Sequence, residues 1–339
     1  MKTRLVAMLA VLGLTTGLGT VQAAEDQAKL IRVGMIGLDT SHVPAFVKIF
    51  NSAPAGSALE GIKVVAGYPG GTDFAPSKNR VAKFTEDLRG MGVEIVDTIP
   101  KLLEKVDVVL LESVDGRIHL EEAAQVIKAG KPLFIDKPVA GSLVDAIAID
   151  ELAKEHNVPY FSSSSSRFGP GLQDLKHGDD VGKLAGAAVW GPCSYQPGTP
   201  DLIFYGVHGI EALVNLMGTG CETVSRIQAK DADLVTCVWE GGRVGTYRGI
   251  RQNKAAFGAI AFGTKGIVQA KQWGDYKDLC NEIATFFKTR KPPFSSEETL
   301  EIMAIIEAAD QSKDQGGASV SLADVVAKAR KELASKKGK

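Results

Sequence analysis

The stretch Ile31-Arg-Val-Gly34-Met-Ile-Gly37-Leu-Asp39-Thr-Ser41-His42 is an apolar run that breaks into a glycine turn and reopens, with Pro44 near its start, as an amphipathic segment. A strand, a tight turn and a helix in that order form the first half of a βαβ unit. Working outward, short runs rich in Val and Ile recur at Ile62–Ala66, Val93–Val96, Val106–Leu111, Leu133–Ile135 and Pro159–Phe161. They lack polar alternation, as strands of a parallel sheet covered on both faces must. Between them Pro44–Asn51, Ser77–Arg89, Ile99–Glu104, Ile118–Ala129 and Leu143–His156 carry helical periodicity, with Gly130 and Pro132 ending the fourth and Ser142 placed to cap the fifth. Residues 30–161 therefore read as a Rossmann-like doubly wound α/β domain.

The pattern changes after Ser162–Ser166, a serine run placed to line a cleft between two domains. Leu184–Trp190, Glu222–Ala229, Leu234–Glu240, Val244–Ile250, Ala256–Phe262 and Gly266–Ala270 read as strands joined by tight turns, Gly241-Gly242 being the clearest hairpin signal. Helices are expected at Phe204–Met217, Tyr276–Thr289, Glu297–Ser312 and Leu322–Lys336. Residues 162–336 are thus expected to form an α+β domain with a mainly antiparallel open sheet.

Composition narrows the function. Lys and Arg number 39 against 40 Asp and Glu, so no global field attracts nucleic acid. Lys2 and Arg4 followed by the apolar run Leu5–Leu14 and by Val21-Gln22-Ala23 have the order of a cleavable Sec-type leader over 1–23, implying a periplasmic or extracellular protein without stable membrane insertion. Cys193, Cys221, Cys237 and Cys280 match no metal spacing. Counting outward from a hairpin near Asp231–Asp233 sets Cys237 opposite the region of Arg226 rather than Cys221, so four buried free thiols are expected.

The first turn stands where a dinucleotide fingerprint belongs. With Gly37 as its first glycine, Asp39 takes the second position and His42 the third. An ionised carboxylate there repels a pyrophosphate by roughly 1 kcal/mol at 4 Å in water; alternatively Asp39 caps the helix. No acidic residue follows the second strand, where Gly67-Tyr-Pro-Gly-Gly71 stands instead, and Lys78 and Arg80 lie nearby.

Further along, Lys131-Pro-Leu-Phe-Ile-Asp136-Lys137-Pro138 resembles the Glu-Lys-Pro motif of the glucose–fructose oxidoreductase, inositol dehydrogenase and rhizopine-catabolism (Gfo/Idh/MocA) superfamily. Val106-Asp-Val-Val109 through His119, Ser166-Arg167-Phe168, Gly263-Thr-Lys-Gly266 and Pro293–Ala309 resemble further family segments, in the family's order. The resemblance implies NAD or NADP across the first domain and a sugar, polyol or related secondary alcohol under the second sheet. It sets Gly34, Gly37, Asp39, Ser41 and His42 along the cofactor, together with Glu112, Ser113, Asp136 and Lys137. Lys137 then stabilises a developing alkoxide or helps move a proton. His208 is the second expected catalytic residue. Phe204 replaces the Asp that family members carry four residues before it, leaving Tyr205 or Glu211 as its polar partner. Arg167 is expected either at the substrate, with Glu211, or closing a domain contact; no metal set is identified. The resemblance also leaves open a redox-neutral glycoside-cleaving enzyme with tightly held NAD, and a non-catalytic carbohydrate binder. By family analogy the second sheet's outer face is a place for a homo-oligomer contact.

Overall fold

The computed structural model describes residues 30–252 and 254–338, so the leader expected at 1–23 lies outside the described residues. The chain alternates β1 (Ile31–Ile36), α1 (His42–Asn51), β2 (Ile62–Tyr68), α2 (Ala75–Lys78), α3 (Val81–Gly90), β3 (Glu94–Ile95), α4 (Ile99–Leu103), β4 (Val108–Leu111), α5 (His119–Lys128), β5 (Leu133–Asp136), α6 (Leu143–Glu155) and β6 (Tyr160–Ser163). The six strands are all parallel, in the order β3-β2-β1-β4-β5-β6. That is the doubly wound order, whose direction reverses between β1 and β4 and opens a crevice beyond the strands' carboxyl ends. Every residue of β4 and β5 is buried, as their unbroken apolar runs require.

One expected helix is two. Ser77–Arg89 divides into α2 and α3 because Ser77 turns its hydroxyl inward to Asp39 Oδ2 (2.5 Å), and Arg80 leaves helical geometry at φ −124°. The break carries Arg80 to the crevice.

The second half holds α7 (Pro170–His177), β7 (Leu184–Pro192), α8 (Val207–Met217), β8 (Cys221–Gln228), β9 (Ala232–Trp239), β10 (Arg243–Ile250), β11 (Gly258–Gly263), β12 (Ile267–Gln269), α9 (Tyr276–Thr289), α10 (Ser296–Asp314), β13 (Val320–Ser321) and α11 (Leu322–Lys337). Its seven strands run β12-β11-β7-β10-β9-β8-β13; β7 and β10 are parallel and the remaining neighbours antiparallel. His177 ends α7, a helix that sequence periodicity did not mark and that Pro170 opens at its first turn. All four cysteines are buried and free. Cys237 pairs with Val224, two positions from the expected Arg226, because Gln228 and Asp233 close the hairpin earlier than the count assumed.

Packing does not follow chain order. Leu279, Cys280, Ile283, Phe286 and Phe287 of α9 join the core built on β1 and α1, and the rings of Phe161 and Phe286 meet edge-on at 5.1 Å. This return fastens the two sheets together and brings Tyr276 back to the crevice.

Candidate active site

A cavity of about 450 Å³ lies beyond the carboxyl ends of the parallel strands, bounded on the other side by the start of α8 and the segments that precede β11 and α9, within the size range of small-ligand pockets. Thr40, Ser41 and His42 at the start of α1 line one end with Arg80, and Lys137 and Ser164–Ser166 form its floor. Tyr205, His208, Phe257, Trp273 and Tyr276 face them, Phe257 and Trp273 stacking at 5.3 Å. Trp239 lies away from the cavity, fully buried in the core.

The glycine turn explains several sequence choices. Gly37 has φ +79°, and a Cβ there would fall 2.1 Å from Ser113 Oγ. Gly34 lies within β1 with its Cβ position against Leu102 (2.7 Å), so its role is helix–sheet packing. Asp39 is fully buried: Oδ2 accepts from Ser77 Oγ, and Oδ1 accepts from the Val114 N–H (2.8 Å). Burial pushes its carboxyl up against the pull of those two bonds. Asp39 thus ties the first turn to the segments after β2 and β4, and presents no charge to the cavity. Ser113 is also buried and donates to Glu122 Oε2 at 2.6 Å; burial drives the Glu122 carboxyl up to about 8.

These residues fit a dinucleotide. The repulsion expected from Asp39 is absent, while the amino end of the ten-residue helix α1 and the Arg80 guanidinium border one cavity, a combination suited to phosphate.

At the other end His42, Glu112 and Asp136 meet. His42 Nδ1 is 2.9 Å from Asp136 Oδ2 and 3.6 Å from Glu112 Oε2. Burial alone would lower the imidazole; Asp136, then Glu112, raise it to about 10. Burial pushes Glu112 up, whereas His42 and Lys137 outweigh burial at Asp136 and hold it down.

His208 reaches the cavity from α8. Its partner is neither Tyr205 nor Glu211 but Ser164, whose Oγ lies 2.7 Å from Nδ1. Tyr205 meets His208 ring edge to face at 5.2 Å, exposed to the cavity. Burial, then the Lys137 charge, press the imidazole well below its ordinary value, so it is neutral. Glu211 is buried behind this pair, accepting from Ser163 Oγ, the Ser164 N–H and Arg167 Nε, each at 2.8 Å. Arg167 is 2% exposed and also reaches Glu298 (2.6 Å). Neither lines the cavity; together they fasten the serine run to α8 and α10, the domain contact that was one of Arg167's two expected roles. Sequence reasoning noted Arg80 with Lys78 as charges beyond the second strand without assigning it to the site, and missed Ser164. The serine run was the available signal for Ser164; the position of Arg80 depends on the break between α2 and α3.

Residues 31–164 match the sequence model of the oxidoreductase family with an NAD-binding Rossmann fold, Gfo/Idh/MocA. The first domain belongs to that family. YceM of Salmonella typhimurium, named as an oxidoreductase, is 24% identical over 148 residues; the match spans 44% of this chain and less than half, 43%, of that one. Among solved structures, GenD2 from gentamicin A biosynthesis, in complex with NAD, superposes with a TM-score of 0.70 over 89% of this chain and 99% of its own, at 15% identity. Scyllo-inositol dehydrogenase from Lactobacillus casei, with bound NAD(H) and scyllo-inositol, gives 0.72 over 87% and 100%, at 14% identity. Both likenesses span the two sheets, so the second half of the chain shares the fold of those proteins as well.

Proposed function

We propose that the protein is a nicotinamide-nucleotide-dependent oxidoreductase that oxidises a secondary alcohol of a sugar or polyol. The observation that carries this reading is the meeting of Lys137 and a neutral His208 in one cavity that also opens onto the amino end of α1. The polyol bound in the L. casei dehydrogenase supports the substrate class. Thr40, Ser41 and Arg80 are the residues that would hold the cofactor's diphosphate, and Lys137, in the same cavity, is the residue that would stand near its reactive end. When bound, the cofactor supplies the hydride acceptor.

The chain's own residues do the rest. In this reading the His208 tautomer is the one with the proton on Nδ1, hydrogen-bonded to Ser164 Oγ at 2.7 Å, with Ser164 Oγ in turn hydrogen-bonded to Ser166 Oγ at 2.8 Å. That arrangement leaves Nε2 as the acceptor for the substrate hydroxyl proton. The Lys137 ammonium stabilises the alkoxide that forms. Phe257 and Trp273 cover the apolar face of a sugar ring and exclude water.

The test is NADH formation from NAD⁺ with a panel of cyclic polyols and aldoses. Lys137→Ala and His208→Ala are each expected to lower kcat by ~10²–10⁴-fold. Full turnover by Lys137→Ala overturns the reading, as does failure of the folded protein to bind either nicotinamide nucleotide.

A further inference from the structure

His42 opens α1, Glu112 follows β4 directly, and Asp136 ends β5. One ligating atom from each lies within 4.8 Å of the others. All three residues are buried, Glu112 completely. Apart from the ion pairs of His42 with Asp136 and Glu112, His42 Nδ1, Asp136 Oδ2 and both carboxylate oxygens of Glu112 make no hydrogen bond. An unsatisfied buried polar group costs ~1–3 kcal/mol, and more when charged. Neighbouring buried acids do not tolerate that condition: Asp39 accepts from Ser77 and Val114, and Asp115 accepts from Thr72 and Arg117. Glu112 faces His42 at 3.6 Å and no other protein donor, which leaves its carboxylate open to a cation.

We propose that His42, Glu112 and Asp136 bind one divalent first-row transition-metal ion. A neutral imidazole and two carboxylates carry a charge of −2 and cancel a dication. One nitrogen with two oxygens suits Zn²⁺, Mn²⁺, Fe²⁺ or Co²⁺, and offers too few oxygens for Ca²⁺. Ligand bonds of ~2.0–2.2 Å separate neighbouring donor atoms by roughly 3.0–3.4 Å; the two separations from His42 Nδ1 are 2.9 and 3.6 Å. The surroundings hold the ligands in place. The Lys137 N–H donates to Asp136 Oδ1 (2.8 Å), and the His42 ring is stacked on Phe46 at 5.2 Å and edged by Tyr276 at 4.7 Å. Such outer contacts fix ligand orientation at metal sites. His42 also lines the cavity, which gives an ion access from solvent. Each ligand stands at or beyond the end of a different strand, so no linear spacing in the sequence reveals the set.

This inference does not depend on hydride transfer and is tested without an activity assay. The full-length protein, stripped with a chelator and dialysed, is titrated with Co²⁺ while visible absorption and bound heat are followed. The expected result is one Co²⁺ per chain with ligand-field bands that Zn²⁺ abolishes, and at least a 10-fold loss of affinity in Glu112→Gln. If Glu112→Gln does not fold, Asp136→Asn serves as the second variant, and the wild-type stoichiometry and spectrum decide by themselves. A wild-type protein that binds no stoichiometric Co²⁺, its His42 simply held as an imidazolium between the two acids, overturns the proposal. So do bands that persist unchanged in either folded variant.

Discussion

Ser164 Oγ and His208 Nδ1, on different structural units, stand 2.7 Å apart. The hydroxyl fixes the imidazole while burial and Lys137 keep it neutral. Because its folded value lies below the ordinary 6.5, the unfolded chain takes up the proton first. The stability His208 contributes is therefore complete above about 6.5 and is lost as pH falls through its folded value. The imidazole resonances of His208, assigned with His208→Gln, are expected to stay at their neutral positions from about pH 8 down to about 6.5. A midpoint inside that range would show the ring to be charged in use and remove it as the base. Ser164→Ala should lower kcat by ~10-fold with KM little changed, since the hydroxyl orients the ring without touching substrate.

The parallel sheet was legible because β4 is an unbroken apolar run and β1 and β5 are apolar apart from Arg32 near the start of β1 and Asp136 at the end of β5, as strands covered on both faces require. Lys137 and His208 were legible through motif position. What the sequence concealed is where polar side chains turn. Asp39 read either as a charge facing phosphate or as the cap of α1, and its bonds to Ser77 and Val114, from two other crossovers, show it doing neither. Arg167 and Glu211 looked available for substrate until Ser163, Ser164 and Glu298 claimed them. The partners in these cases are distant in sequence, and local pattern carries no record of them.

Glu122 makes the pH dependence of stability testable away from the cavity. Burial raises its carboxyl from 4.5 to about 8, so the folded state keeps a proton that the unfolded chain releases. The stability this confers is complete below about 4.5 and is lost as pH rises through about 8. Glu122→Gln keeps an acceptor for Ser113 and cannot ionise. Thermal melts should show the variant more stable than the parent at about pH 8 and nearly equal to it at about pH 5. Equal stability at both values would mean that the carboxylate is solvated.

The Arg167–Glu211 pair holds the serine run against α8 and α10 through bonds to Ser163, Ser164 and Glu298. Removing one partner strands a buried charge, a change that costs ~3–5 kcal/mol. Arg167→Ala should lower the urea midpoint accordingly, with nicotinamide-nucleotide affinity per folded molecule preserved. Lost affinity in a protein of unchanged stability would return Arg167 to the ligand site.

Gly37 sets where the amino end of α1 lies relative to β4, and hence whether Thr40 and Ser41 reach the cavity. The residue at this position must adopt φ +79°, and an added methyl carbon would sit 2.1 Å from Ser113 Oγ and 2.4 Å from its backbone nitrogen. The hydroxyl can rotate away, but the nitrogen cannot, because β4 is locked between β1 and β5. Gly37→Ala must therefore push the turn off the sheet, straining the bonds of Gly37 N–H to Tyr68 O (3.0 Å) and Leu38 N–H to Pro69 O (2.8 Å). A destabilisation of ~4 kcal/mol or more is expected, against ~0.5 kcal/mol or less for Gly90→Ala, where nothing lies within 4 Å. Paired urea titrations of the two variants measure the difference. Because the displaced turn carries the start of α1 with it, any Gly37→Ala protein that remains folded should also bind nicotinamide nucleotide more weakly, whereas Gly90→Ala, on the far end of α3, should bind it as the parent does.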